Sequence, residues 1–148
     1  MKVMVACSAG GHWVQMRRIL PAFEGFDRFY VGVELAADPA LGAVRYYPVG
    51  NVTRKNPQAV AGILAELRRI VRAERPDLAV TTGAGPGFLA LAVAKLAGGS
   101  RTIWIDSIAN TERMSLSGRL ARPVADVRLV QWQHLARPGG PEFWGAVL

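Results

Sequence analysis

The sequence predicts one α/β domain, a mostly parallel sheet with helices on both faces. Three observations predict it. Five or six apolar runs of strand length alternate with helical patterns along the 148 residues, the alternation that builds βαβ units. Gly, Pro, Asn and Ser cluster between many of these segments, where the chain must turn. The run from Leu78 to Thr82 is almost wholly apolar up to its threonines, as expected for a central strand buried on both faces. The length suits a single domain with its own core.

The elements follow in order. Lys2 to Cys7 reads as the first strand; with one Lys and a short apolar run, it is too short for a secretory signal core. Ser-Ala-Gly-Gly leads into helical sequence from about His12 to Phe23, with Val14, Ile19 and Leu20 offered to the core. Arg28 to Val33 and Val44 to Val49 read as the next strands. The loop GNVTRKNP precedes a long helix from about Pro57 to Glu74, with Pro near its first turn. Val60, Ile63, Leu64, Leu67, Ile70 and Val71 recur there with a 3.6-residue period, and Arg68, Arg72 and Arg75 fall mostly on the other side. Arg75-Pro76-Asp77 ends that helix. Leu78 to Thr82 is the fourth strand, Gly83 to Gly87 a turn, and Phe88 to Ala97 a nearly all-apolar helix that Gly98-Gly99 ends. Thr102 to Ile105 is a strand ending at Asp106. A polar loop, a short helix around Leu116 to Ala121 and a last strand from Val127 to Gln131 follow. An irregular tail covers 138–148. No internal repeat interrupts this order.

Composition narrows the function. A single cysteine, Cys7, excludes a disulfide within the chain and fits a reducing compartment. The longest uncharged stretch, Leu78 to Ala94, is cut by Gly83, Gly85, Pro86 and Gly87, so no membrane-spanning helix is expected. The net charge of +7 attracts nucleic acid, anionic lipid or anionic substrates alike. The aromatics form no base-stacking pattern and the basic residues no recognition helix, which ranks nucleic acid last. The expectation is peripheral attachment to an anionic membrane surface through Arg54, Lys55, Arg68, Arg72 and Arg75, on the cytoplasmic, inner face.

Ligands of such sheets bind beyond the carboxyl ends of the strands, which points to a few loops. In SAGGHW, Ser8, Gly10 and Gly11 allow close backbone approach, and His12 opens a helix where it could act as a base or hold a phosphate. A plain strand-to-helix turn is the bland alternative. In TTGAGPGF, Thr82, Gly83, Gly85 and Gly87 make a second anion-facing turn, unless the glycines serve close helix–sheet packing. In DSIANTERMSLSGRL, the Asp106 carboxylate can orient a sugar hydroxyl or act as base. Ser107, Asn110, Ser115, Ser117 and Arg119 accompany it, although one serine is expected to cap the short helix. HExxH, paired CxxC and Walker motifs are absent, and two histidines with one cysteine make a zinc site improbable. Ser8 near His12 lacks the GxSxG elbow of a nucleophilic serine.

SAGGH, TTGAGPGF, DSIAN followed by SLSGRL, and then AD with VQW and HLA occur in this order over nearly the whole chain. Together they resemble the bacterial polysaccharide-biosynthesis subunits of the PssD and CpsF type. They also resemble the eukaryotic subunit that anchors the transferase adding the second N-acetylglucosamine to dolichol-linked oligosaccharide. The resemblance implies a Rossmann-like N-terminal half of a two-domain GT-B glycosyltransferase, both halves of which the transferase MurG carries in one chain. It implies a polyprenyl-diphosphate-linked sugar as acceptor and a UDP-sugar donor bound chiefly by a separate small subunit. Helix dipoles and basic groups can stabilise a donor diphosphate, so neither a metal nor another cofactor is expected. Eukaryotic members carry an N-terminal membrane helix, whereas this sequence begins at its first strand, and no second nucleotide-binding domain follows Gln131. The chain is therefore expected to be incomplete alone. Gln131, Trp132, Leu135, Phe143 and Trp144 are the expected partner contacts. Two other functions compete: a non-catalytic scaffold that activates a catalytic partner, and a stand-alone dinucleotide enzyme, which the missing GxGxxG disfavours.

Overall fold

The computed structural model describes residues 1–34, 44–51 and 58–147. Arg54, Lys55 and Pro57 lie outside the described residues. Six strands form one sheet in the order β3-β2-β1-β4-β5-β6, and every pair runs parallel. They are β1 (Lys2–Ser8), β2 (Asp27–Val33), β3 (Arg45–Pro48), β4 (Leu78–Thr81), β5 (Arg101–Ile105) and β6 (Val127–Leu129). The helices are α1 (Gly11–Ile19), α2 (Ala59–Glu74), α3 (Ala84–Gly98) and α4 (Leu116–Leu120), with 3-10 turns at Leu20–Phe23 and Gln133–Leu135. The Rossmann-like α/β class is as expected.

The two-residue period of β1 divides the core. Val3, Val5 and Cys7 face one side with Trp13 and Met16 of α1, Phe23 and Tyr30. Met4 and Ala6 face the other with Leu67, Ile70 and Val71 of α2 and Leu91 and Ala94 of α3. Each fully buried Leu or Ile here contributes about 1.5–3 kcal/mol of burial free energy. Trp13 also meets Tyr30 edge-on, ring centroids 6.0 Å apart, an arrangement that aromatic quadrupoles favour.

Two local expectations are corrected. Val14 is half exposed, because α1 turns Trp13, Gln15 and Met16 inward instead; Ile19 and Leu20 pack only partly. The residues expected to form a turn, Gly83 to Gly87, belong mostly to α3, whose first helical residue is Ala84. The nearly all-apolar α3 is buried or half-buried along most of its length and is exposed at its end, where Leu96 stands free of the core.

An ionic cluster closes the amino-terminal edge of the sheet, away from the ligand edge. Glu74 is buried and accepts hydrogen bonds from Tyr47 Oη at 2.5 Å, Arg45 Nη1 at 2.9 Å and Lys2 Nζ at 3.1 Å. Burial pushes its carboxyl upward, but the Tyr47 and Lys2 hydrogen bonds and the Arg45 and Lys2 charges outweigh it and hold it below the usual range. A carboxylate lowered on folding contributes stability that is complete above its unfolded value and is lost as pH falls through its folded value. Glu74→Gln should therefore flatten the acid limb of the stability curve measured by urea unfolding from pH 7 to pH 2. An unchanged acid limb would show that the cluster does not couple protonation to folding.

Candidate active-site cleft

The strand order reverses direction between β1 and β4, and the crevice that such a reversal opens is where doubly wound sheets bind ligands. Here β1 leads through Ala9 and Gly10 into α1, and β4 leads through Thr82 and Gly83 into α3. A cleft of about 270 Å³ lies at this point, lined by His12, Gly83, Ala84, Asp106, Ser107, Ala109, Asn110, Ser115 and Ser117. Complete small-molecule sites enclose about 300–1,000 Å³, so this cleft has the size of part of one. A larger hollow of about 630 Å³ opens at the opposite edge, beside the carboxyl ends of α2 and α3. Those ends carry the negative poles of their helices, and the hollow's polar side chains are Arg72, Arg75, Asp77 and Ser100. The switch-point cleft is the better candidate because it combines a histidine with short polar side chains.

His12 is held by a reciprocal pair of contacts. Its Nδ1 lies 2.9 Å from the Thr82 carbonyl oxygen, and Thr82 Oγ1 donates to the His12 carbonyl at 2.8 Å. A carbonyl only accepts, so Nδ1 carries the proton, and Nε2 keeps the lone pair when the ring is neutral. Gly83 has φ +124°, and a Cβ there would come within 2.8 Å of the His12 ring. Glycine is thus required both by backbone conformation and by the ring beside it. Ala84 follows with φ +63°, a left-handed conformation rare for a residue with a Cβ, on the cleft wall itself.

Asp106 is buried, and its carboxylate is saturated. Oδ1 accepts from Trp104 Nε1 at 3.0 Å and Ser115 Oγ at 2.5 Å, and Oδ2 accepts from the Ser115 amide at 2.8 Å and Asn110 Nδ2 at 3.0 Å. These contacts leave little capacity to take a proton from a ligand. Their effect is to fold the loop after β5 over the carboxylate and to fix both Asn110 and the start of α4. Ser115 Oγ also accepts from the Gly118 amide at 2.9 Å, so the expected capping role falls to Ser115. The Ser117 side chain makes no hydrogen bond among the described residues and lines the cleft, open to a ligand. Gly118 is obligatory: a Cβ there would meet Trp104 Nε1 at 2.7 Å and Asp106 Oδ1 at 2.9 Å.

Of the expected site residues, the fold brings together His12, Gly83, Asp106, Ser107, Asn110, Ser115 and Ser117. Several others it places elsewhere. Thr82 is buried, with its hydroxyl and carbonyl spent on His12. Gly87 is also buried; a Cβ there would lie 2.2 Å from Thr81 Oγ1, so close helix–strand packing explains it. Ser8, Gly10, Gly11, Gly85 and Arg119 do not line the cleft. Gly10 instead makes the turn into α1 with φ +80°. Among the expected partner contacts, Gln131 and Leu135 are buried, because Gln131 bonds inward and Leu135 joins the core. Trp132 is half-buried and donates to the Ile108 carbonyl at 2.8 Å. Phe143 and Trp144 are exposed.

Sequence reasoning missed Ala84 and Ala109 on the wall, and Gln15, Trp104 and Gly118 behind it. The one signal for Gln15 was an amide placed between Trp13 and Met16 on an inward stripe. Gly118 stood in SLSGRL, but only its contact with Trp104 gives it a reason. The described residues contain no cluster of His, Cys, Asp or Glu that could hold a metal ion, and none of their helices is long and apolar enough to cross a membrane.

Known proteins extend this picture. The fold superposes on MurG of Acinetobacter baumannii with TM-score 0.77 at 13% identity, covering 95% of this chain and 44% of that one. It also superposes on the UDP-GlcNAc 2-epimerase of Methanocaldococcus jannaschii with TM-score 0.66 at 14% identity, covering 88% and 39%. At such identities the likeness concerns the fold alone. In sequence, the chain is 32% identical over 123 residues to a protein of Eremothecium gossypii named UDP-N-acetylglucosamine transferase subunit ALG14, covering 72% of this chain. The alignment spans 55% of that relative's length. Residues 50–147 match the family model described as "Oligosaccharide biosynthesis protein Alg14 like", and the chain belongs to that family.

Proposed function

We propose that this chain is the acceptor-side half of a two-component glycosyltransferase. It binds a polyprenyl-diphosphate-linked sugar in the switch-point cleft and pairs with a small subunit that binds the UDP-sugar donor. The observation that carries this reading is the partial cleft, in which His12 faces the Ser107, Asn110 and Ser117 side chains at one sheet edge. Short hydroxyl and amide side chains match sugar hydroxyls, and a histidine can take the proton of an attacking hydroxyl. The MurG-like fold and the subunit name of the Eremothecium gossypii relative support this reading. The test is transfer from a radiolabelled UDP-sugar to a polyprenyl-diphosphate-linked acceptor by the chain, by its cognate small subunit and by the mixture. Transfer by the mixture alone is expected. Full transfer by the small subunit alone would overturn the proposal and favour a scaffold.

Peripheral binding to an anionic membrane is part of the same proposal. Arg68, Arg69, Arg72 and Arg75 are all exposed on α2 and at its end, and each is worth about 1 kcal/mol beside an anionic bilayer. The chain should bind phosphatidylglycerol vesicles, fail to bind phosphatidylcholine vesicles, and leave the former in high salt. Equal binding to both, or binding that resists salt, would contradict this mode of attachment.

A further inference from the structure

Gln15 and Gln131 are buried, and every polar atom of both side chains is engaged. The Val147 amide donates to Gln131 Oε1 at 2.9 Å. Gln131 Nε2 donates to Gln15 Oε1 at 2.6 Å and to the Asp106 carbonyl at 2.9 Å. Gln15 Oε1 also accepts from the Ile108 amide at 3.0 Å, while Gln15 Nε2 donates to Ser107 Oγ at 3.0 Å and the Gly11 carbonyl at 3.3 Å. An unbroken chain of hydrogen bonds thus joins the carboxyl-terminal tail to Ser107 on the cleft wall. Its two ends are unequally secured. The loop end is tied by several contacts. At the tail end, Val147 is fixed by Gln131 and by Arg18 Nη1, which donates to its carbonyl at 3.3 Å. The residues 144–147 beside it roof an apolar hollow of about 210 Å³ over Ile19, Ile105 and Leu129.

We infer that Gln15 and Gln131 are positioning residues that make the order of the cleft loop depend on the seating of the tail. Lifting the tail orphans Gln131 Oε1 in a buried place. The side chain recovers a partner by swinging toward solvent, which releases both Gln15 Oε1 and the Asp106 carbonyl. Ile108 and Ser107 then lose the fixed amide that holds them. If the glycosyltransferase reading is right, a partner seated against the tail sets the geometry of the acceptor cleft through these two amides; that consequence, but not the wiring, rests on the reading.

The test is amide hydrogen exchange on the full-length chain, without partner, donor or acceptor. Val147→Pro removes the N–H that reaches Gln131. Exchange at Ile108 and its neighbours in 107–114 should accelerate by about tenfold or more, while β1 and β4 stay protected. In a Gln131→Met background the loop should already exchange fast, and Val147→Pro should add less than about twofold. A released tail over a loop that keeps its protection would overturn the inference. If Val147→Pro also loosens β1 and β4, Gln131→Met decides alone: a fast loop beside protected strands supports the wiring, and a protected loop overturns it. No outcome depends on sugar transfer, so failure here leaves the proposed function standing, and the converse holds.

Discussion

Asp106→Ala should destabilise the domain by about 3–5 kcal/mol, the largest effect expected from any single side chain at the cleft. The change would leave Trp104 Nε1, Ser115 Oγ, the Ser115 amide and Asn110 Nδ2 without their acceptor. A buried donor left unpaired costs about 1–3 kcal/mol, reduced wherever a group can turn to water. Trp104 is fully buried and cannot turn, whereas Asn110 is only half-buried and can. Asp106→Asn should cost less. Its carbonyl can keep the Trp104 and Ser115 hydroxyl contacts, and Asn110 can rotate its amide to offer oxygen, which leaves mainly the Ser115 amide facing an NH₂ group. Urea unfolding of the three proteins, followed by far-UV circular dichroism, gives the comparison. An alanine variant within about 1 kcal/mol of the parent would mean that the carboxylate is not what holds the loop. The catalytic role expected of Asp106 from its place at a strand end would then regain its force.

The same residue marks where the sequence is legible and where it is not. That Asp106 ends a strand at the ligand edge follows from apolar periodicity, because a strand must stop where its apolar run stops. That its carboxylate is spent inward depends on Trp104 two residues before it and on Ser115 nine residues after it. The second contact exists only once the loop has closed. Glycines show the same division. Gly83, Gly85 and Gly87 look alike in TTGAGPGF, yet Gly83 meets the His12 ring, Gly87 meets Thr81 and only Gly83 lines the cleft. Local sequence marks a place where Cβ is unwelcome but not the atom that excludes it. The first helix departs from expectation for a related reason. Spacing alone permits Val14 or Trp13 to face inward, and the larger apolar area of the tryptophan decides for Trp13, with Gln15 carried in beside it to meet Gln131.

In the proposed two-component transferase, His12→Ala should lower turnover by about 10²–10⁴-fold while changing stability by only about 1 kcal/mol. The small structural cost follows from what the side chain does for the fold. It makes a single hydrogen bond, from Nδ1 to the Thr82 carbonyl, while the return contact from Thr82 Oγ1 goes to the His12 backbone and survives truncation. The large functional cost follows from the same hydrogen bond. Because Nδ1 is committed to a carbonyl, the neutral ring offers Nε2 as acceptor, and with Asp106 saturated this is the best-placed group in the cleft to receive a proton. His12→Gln separates the two roles that the residue can have. Glutamine keeps a donor for a phosphate oxygen but cannot take up a proton at neutral pH. A base lost to glutamine lowers kcat with little change in KM, whereas a lost phosphate contact that acts equally in ground and transition states raises KM and spares kcat. The measurement is steady-state transfer in the mixture of the chain and its small subunit, with assembly of each variant checked by gel filtration. If His12→Ala assembles and turns over at the parental rate, the chemistry belongs wholly to the partner, and this chain acts as its scaffold.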